Sequence, residues 1–243
     1  MTTQLILGDC LEEMKKIPDK SVDLFICDLP YGETNCKWDS VIDLEKFWIQ
    51  FKRIRNDKRT ACIHFCSSKF GYTIIKSWEK GFKMDMVWKK RNKTGGLSSK
   101  YRPLRNHEMI YFFYEQCPKY KRDTYHKRIN NVMMSDTDTV NEIKNVNKSH
   151  ERKATNFEPV QPGSVFESTK VFIGKRHHQT EKPQDVLEFL IKYYSDEGDT
   201  ICDPTMGSGS MGVASKKLGR NFIGIEMDES IFKVAEARIN TGL

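Results

Sequence analysis

The chain has 243 residues, enough for one sizeable α/β domain with an insertion or a small second lobe. Hydrophobic residues make up 38% and charged residues 30%, a balance that supports a buried core and argues against global disorder. A formal charge of +7 suits an anionic partner, and no run approaches the ~18–20 uninterrupted apolar residues of a membrane helix.

In chain order, residues 4–7 and 23–27 read as short strands, with Leu11, Met14 and Ile17 between them at helical spacing. The first strand starts without a basic segment or cleavage site, so a cytoplasmic, intracellular location is expected. The next helix is predicted over 44–54, where Leu44, Phe47, Trp48, Phe51 and Ile54 share one face. A strand at 60–65, a helix at 72–79 and strands at 82–88 and 109–114 follow. The last third alternates again: helix 185–194, strand 200–203, helix 208–218, strand 222–226, helix 229–239. Alternation of this kind implies a doubly wound, mostly parallel sheet with helices on both faces. Residues 116–176 break the pattern with few apolar runs and many Asn, Lys, Thr and Asp, so they read as an insertion between a first part, 1–115, and a last part, 177–243. The seven cysteines are scattered, without Cys-x-x-Cys pairs, and read as free thiols. Cys62 and Cys66 fit a buried strand better than a metal site, and no metal is assigned.

Two segments carry chemistry. Asp203-Pro204-Thr205-Met206-Gly207-Ser208-Gly209-Ser210-Met211-Gly212 follows a strand, opens a helix and has G-x-G-x-x-G spacing. Glu226 ends the next strand, where a carboxylate can accept from both ribose hydroxyls of an adenosine cofactor. The loop alone leaves a dinucleotide and S-adenosylmethionine open. A pyrophosphate would use the helix N-terminus, whereas the acids Asp203 and Asp9 better suit a sulfonium. The second segment, Asp28-Leu29-Pro30-Tyr31-Gly32, lies directly after a strand, at the edge where open α/β sheets bind ligands. The exocyclic nitrogen of adenine or cytosine shares its lone pair with the ring. An Asp28 carboxylate and the Leu29 carbonyl can accept its two N–H groups and localise that pair as positive charge develops. Tyr31 offers a flat face for an extruded base.

These segments together resemble the amino-methyltransferases of DNA, in the β arrangement where the catalytic motif precedes the cofactor loop. Asp28-Leu29-Pro30-Tyr31 matches the family's D-P-P-Y motif, with Leu29 in place of the first proline. Asp203-Pro204-Thr205-Met206-Gly207-Ser208-Gly209 matches D-P-F-x-G-S-G, with Thr205 in place of phenylalanine. His178-Gln179-Thr180-Glu181-Lys182-Pro183 matches H-x-T-x-K-P, and Gly8-Asp9-Cys10 the N-terminal G-D element. The resemblance implies a seven-stranded, Rossmann-like methyltransferase sheet and S-adenosyl-L-methionine as cofactor. It also implies that Asp28, Leu29, Pro30 and Tyr31 hold the target amine. For the cofactor it implies Asp9 at the adenine with Cys10 beside it in sequence, Thr180 and Lys182 at the methionine carboxylate with His178 in the same motif, Asp203, Thr205, Gly207, Ser208 and Gly209 in the loop, and Glu226 at the ribose.

The expected substrate is double-stranded DNA, methylated at adenine N6 by base flipping and direct transfer. N4-cytosine and RNA amines are the alternatives, and a non-catalytic DNA-binding partner of the same fold is the rival from another class. Lys83, Lys89, Lys90, Arg91, Lys93, Lys100, Arg102 and Arg105, interleaved with Trp88 and Tyr101, form a basic stretch suited to phosphates. The 116–176 insertion takes the place of a target-recognition region, with Lys119, Lys121, Arg122, Lys127, Arg128, Arg152 and Lys153 as contacts. The loop 33–39, with Asn35 and Trp38, is expected to close over the extruded base. A homodimer and a restriction endonuclease partner also follow from the resemblance.

Overall fold

The structure is a computed structural model that describes residues 1–33, 40–129, 156–168 and 181–241. Two compact units emerge, one of Met1–Tyr120 with Ser164–Leu243, the other Lys121–Gly163.

The larger unit is built on an eight-stranded sheet in the order β1-β10-β9-β2-β3-β5-β4-β8. Five of its strands are parallel neighbours: β1 (Thr3–Leu7), β10 (Asn221–Glu226), β9 (Thr200–Asp203), β2 (Leu24–Cys27) and β3 (Ala61–Cys66). This is the doubly wound class expected from the alternating elements. It differs in having eight strands where seven were expected, because the three-residue β8 (Val165–Glu167) adds in parallel to β4 (Phe82–Thr94) at one edge.

Helix α1 (Cys10–Met14) starts under an Asp9 cap and α2 (Leu44–Ile54) under an Asp43 cap, each aspartate accepting from backbone N–H groups of the first turn. The five predicted apolar residues of α2 are all buried, each contributing about 1.5–3 kcal/mol of burial. Helix α3 (Ser68–Ser77) begins earlier than the apolar pattern suggested, because the Ser67 hydroxyl caps it through the Phe70 N–H. The remaining helices of this unit are α5 (Gln184–Tyr194), α6 (Ser210–Lys217) and α7 (Glu229–Thr241). All four residues of the central strand β2 are fully buried, since it is flanked by strands on both sides.

The order and direction of β4 and β5 (Arg105–Phe113) matter most for the site. Both pair antiparallel, β5 to β3 and β4 to β5, so the start of β5 lies at the same edge as the end of β3. β3 stops at Cys66, opposite Met109, while the β4–β5 hairpin continues past it to the Thr94–Arg105 pair. Residues 88–108 therefore form an arm rising from the C-terminal edge of the parallel strands.

The smaller unit holds α4 (Arg122–Tyr125) and the antiparallel pair β6 (Lys127–Ile129) and β7 (Asn156–Glu158). It is narrower than the 116–176 stretch that breaks the sequence pattern, since Ser164 onward returns to the main sheet through β8. Among the described residues no helix is long and apolar enough to cross a membrane.

Candidate active site

Four parallel strands deliver an acid to one rim. Asp9 follows β1, Glu226 ends β10, Asp203 ends β9 and Asp28 follows β2. Beneath them lies a cavity of about 470 Å³ lined by all four, together with Tyr31, Trp88, Lys90, Glu108, Lys182 and Gly207. Cys10, Leu29, Pro30, Thr205 and Ser208 also line it, so most of the predicted positions meet in one space. His178 and Thr180 lie outside the described residues, as do Asn35 and Trp38 of the expected lid.

At one end the backbone does most of the work. Gly207 has φ 50° and Gly209 φ 79°, the left-handed region that glycine tolerates. A Cβ on Gly207 would meet nothing within 4 Å, so that backbone faces open space where a ligand can approach closely. Gly212, the third glycine, is needed for packing: a Cβ there would sit 2.4 Å from Ile239 Cδ1 of α7. The Glu226 carboxylate accepts the N–H groups of Gly207 at 3.0 Å and Asp228 at 2.9 Å, which orients it and leaves lone pairs for ligand hydroxyls. Asp9 accepts the Leu11 and Glu12 N–H groups at 2.9 and 3.2 Å through one oxygen. The Cys10 thiol is pushed up to about 12, by burial first and by neighbouring Asp9. It therefore stays a protonated apolar contact.

Asp203 is 5% exposed and accepts only the Thr205 N–H, at 3.1 Å, among the hydrogen bonds of the described residues. Burial pushes its carboxyl up to about 8, against the lowering pull of the Thr205 N–H, with Asp28 and Glu226 raising it further. A buried acid short of positive charge fits a cationic ligand, so this end suits a sulfonium and a methionine amino group. Ser208 is held from behind: Arg238 of α7 donates to its carbonyl and hydroxyl, both at 3.1 Å, and pairs with Glu181.

The other end is a chain of alternating charges. Lys182 Nζ donates to Asp28 Oδ2 at 2.6 Å and lies 3.6 Å from Glu108 Oε2, while Lys90 pairs with Glu108 Oε1. Tyr31 donates its hydroxyl to Asp28 Oδ1 at 2.8 Å and stacks one ring face on Phe70, with centroids 5.1 Å apart. The Thr205 hydroxyl donates to the Asp28 carbonyl at 3.1 Å, which ties the Asp28 segment to the glycine loop. Burial would lower the Lys182 ammonium, but Asp28 and Glu108 beside it outweigh that and hold it above the usual lysine range. Burial likewise opposes ionisation of Glu108, and Lys182 and Lys90 pull it below the usual carboxylate range. The Tyr31 phenol is raised, by burial first and then by the Asp28 charge, so it remains a donor.

Three features here were not visible in the sequence reading. Lys182, expected at a methionine carboxylate, sits on the Asp28 carboxylate in this structure. Glu108 follows the basic run and belongs to none of the motifs. It reaches the rim because β5 runs antiparallel and starts where β3 stops. Arg238 gave no sequence signal, standing on a helix that reads as ordinary. The Leu29 side chain packs into the core at 1% exposure. Lys119, expected from its charge to contact nucleic acid, is engaged with Asp196 at 2.6 Å and Asp199 at 2.8 Å. Cys62 lies in a buried group with Cys27 and His64, its sulfur 4.0 Å from Cys27 and 3.1 Å from His64 Nε2, enclosed by Phe47, Trp48 and Phe113.

The fold, with its glycine loop and four acids on one rim of the sheet, is that of a Rossmann-like methyltransferase. Residues 22–237 match the model of the N6_N4_Mtase family, described as DNA methylase, and the chain belongs to that family. It is thus a DNA methylase whose methyl donor is S-adenosylmethionine. The Type II methyltransferase M.HinfI of Haemophilus influenzae is 27% identical over 263 aligned residues, covering 97% of this chain and 67% of that protein. M2.LlaDCHI of Lactococcus lactis subsp. cremoris is also 27% identical, over 98% of this chain and 89% of its own length. Among solved structures, M1.HpyAVI in complex with SAM superposes with a TM-score of 0.63 at 22% identity, covering 98% of this chain and all of that one. The PvuII DNA methyltransferase, described as cytosine-N4-specific, gives 0.66 at 14% identity over 100% of this chain and 94% of its own.

Proposed function

We propose that this protein is a β-arrangement DNA methyltransferase that modifies adenine N6 at a specific site in double-stranded DNA. The observation that carries the reading is the Asp28 carboxylate, held on both oxygens by Tyr31 and Lys182 at the wall of the cavity that contains Gly207 and Glu226. An aspartate, rather than a serine, at the head of the tetrapeptide favours adenine over cytosine in this family.

S-adenosylmethionine, when bound, supplies an electrophilic methyl group. Asp9, Cys10, Asp203, Thr205, Gly207, Ser208, Gly209 and Glu226 are the residues that hold it, with His178 and Thr180 from the adjoining segment. Lys182 has its charge aimed at Asp28 in this structure, and the family resemblance would give it the methionine carboxylate as a second partner. Asp28 and the Leu29 carbonyl accept the two N–H groups of the extruded base, which localises the nitrogen lone pair for attack. Tyr31 keeps Asp28 in one orientation and offers its remaining ring face to the base, a contact worth about 1–3 kcal/mol. Lys182 and Glu108 position Asp28. As the nitrogen–carbon bond forms the methyl–sulfur bond would break, leaving a neutral thioether, and the methylated nitrogen then gives its proton to solvent, so the product amine leaves neutral.

Expression in a host lacking adenine methylation, followed by long-read mapping of modified bases, tests this directly. N6-methyladenine at one recurring site is expected. Methylation at cytosine N4 alone would move the target base, and no modified base beside intact cofactor binding would favour a non-catalytic DNA-binding partner. The smaller unit and its flanks, with Lys121, Arg122 and Lys127, are assigned to target recognition. Pairing into a homodimer and a restriction endonuclease partner belong to the same reading.

A further inference from the structure

The β4–β5 arm ends in a feature that phosphate binding alone does not explain. Gly95 takes φ 89° and starts a 3-10 turn at Gly96–Ser98. Backbone bonds from Ser98 to Gly95, Ser99 to Gly96, and Tyr101 and Arg102 to Ser98, all 3.0–3.1 Å, make the tip a formed turn. At its apex Leu97 is 103% exposed, with Tyr101 at 90% and Leu104 at 40%. A single exposed apolar side chain is ordinary. Three on one built tip, with the largest exposure at the apex, are a surface prepared for something.

The flanks say what. No acid lies between Asp85 and Glu108, and seven cations do. Lys89 and Lys90 are used in ion pairs with Glu167 and Glu108, whereas Arg91, Lys93, Lys100 and Arg102 are exposed along the arm. The base of the arm is part of the site itself, since Trp88, Lys90, Arg91, Asn92 and Thr94 line the cavity beside Asp28. Leu97 is three residues beyond Thr94, so it stands within about 10 Å of the cavity wall. That matches the scale of a base moving out of its stack.

We propose that this tip is a wedge for double-stranded DNA: Leu97, backed by Tyr101, enters the base stack where the target nucleotide leaves, while Arg91, Lys93, Lys100 and Arg102 hold the phosphates on either side. Apolar side chains between base steps and cations on the adjoining backbone are the general means by which proteins hold DNA open. The inference rests on the DNA-methylation reading above and adds to it the element that stabilises the emptied position.

The test compares the parent with Leu97→Ser and Leu97→Ser/Tyr101→Ser on two short duplexes carrying the mapped site, one fully paired and one with the target base mispaired. A mispaired base needs less help to leave the stack. On the paired duplex the single-turnover rate should fall about tenfold, and on the mispaired one less than about threefold. Melting temperature and cofactor affinity should match the parent, because both side chains are exposed. Equal losses on the two duplexes would reduce the tip to an ordinary contact and overturn the wedge, as would no loss on the paired one. A defect seen only in binding phosphatidylserine vesicles, with DNA rates intact, would reassign the tip to a membrane. A parent that modifies neither duplex would bring down the methylation reading and the wedge with it, an outcome distinct from the other three.

Discussion

The two ends of the cavity are made of different materials. At the cofactor end, the glycine loop and the ends of β9 and β10 present backbone, and the carboxylates of Glu226 and Asp9 are fixed by backbone N–H groups from their own or adjoining turns. At the end proposed for the base, side chains from distant places hold one another: Asp28 from just after β2, Lys182 from before α5, and Glu108 and Lys90 from the antiparallel hairpin. The first kind of site survives loss of one side chain, because the local turn still forms. The second is a network in which removing one charge strands the next.

The sharpest test of that contrast is Asp28→Ala, which should lower the single-turnover rate by about 10²–10³-fold, the loss typical of one transition-state acceptor or donor. Calorimetry should find S-adenosylmethionine affinity changed by less than about tenfold, since the glycine loop and Glu226 do not touch this carboxylate and only Lys182 and the charge on Asp203 couple to it. Comparable loss of both would merge the two ends into one unit. Glu108→Ala comes next. It leaves Lys182 and Lys90 buried or half-buried with fewer partners, and urea unfolding should show a loss of about 3 kcal/mol. A variant as stable as the parent would mean that the charge chain is not structurally coupled. Glu226→Ala should weaken cofactor binding by about tenfold, in line with one or two hydrogen bonds to a charged group, with little change in melting temperature. The mildest expectation concerns pH. Asp203 is protonated in the free protein up to about 8, so folding favours its neutral form, and ionising it costs stability as pH rises from the ordinary carboxylate range. A cationic ligand reverses that preference and expels the proton. Cofactor affinity should therefore rise with pH up to about 8 and then level, with a slope approaching about tenfold per unit. Asp203→Asn should flatten the profile; an unchanged slope in that variant would show that another group supplies the proton.

The same contrast explains what could be read in advance. The glycine loop, Glu226 and the Asp28 tetrapeptide were legible because each sits at the end of a strand whose apolar run is contiguous in sequence. Hydrophobic period and turn chemistry place those ends without knowledge of the rest. The five parallel strands and the α2 face followed for the same reason. The length of the β4–β5 arm did not. Residues 89–94 and 105–108 are polar, and only the antiparallel pairing of β4 with β5 makes them strand.

From residue order alone came the doubly wound class, the glycine loop, the Asp28 tetrapeptide and the basic stretch, because each depends on neighbours within a few positions. Tertiary structure alone decided that Lys182 grips Asp28 across 154 positions of chain, that Glu108 reaches the rim, and that Arg238 braces the loop at Ser208. Those contacts depend on strand order and direction. A carboxylate finds its ammonium partner only after the backbone has brought both to one edge of the sheet, and no local pattern of residues records that meeting.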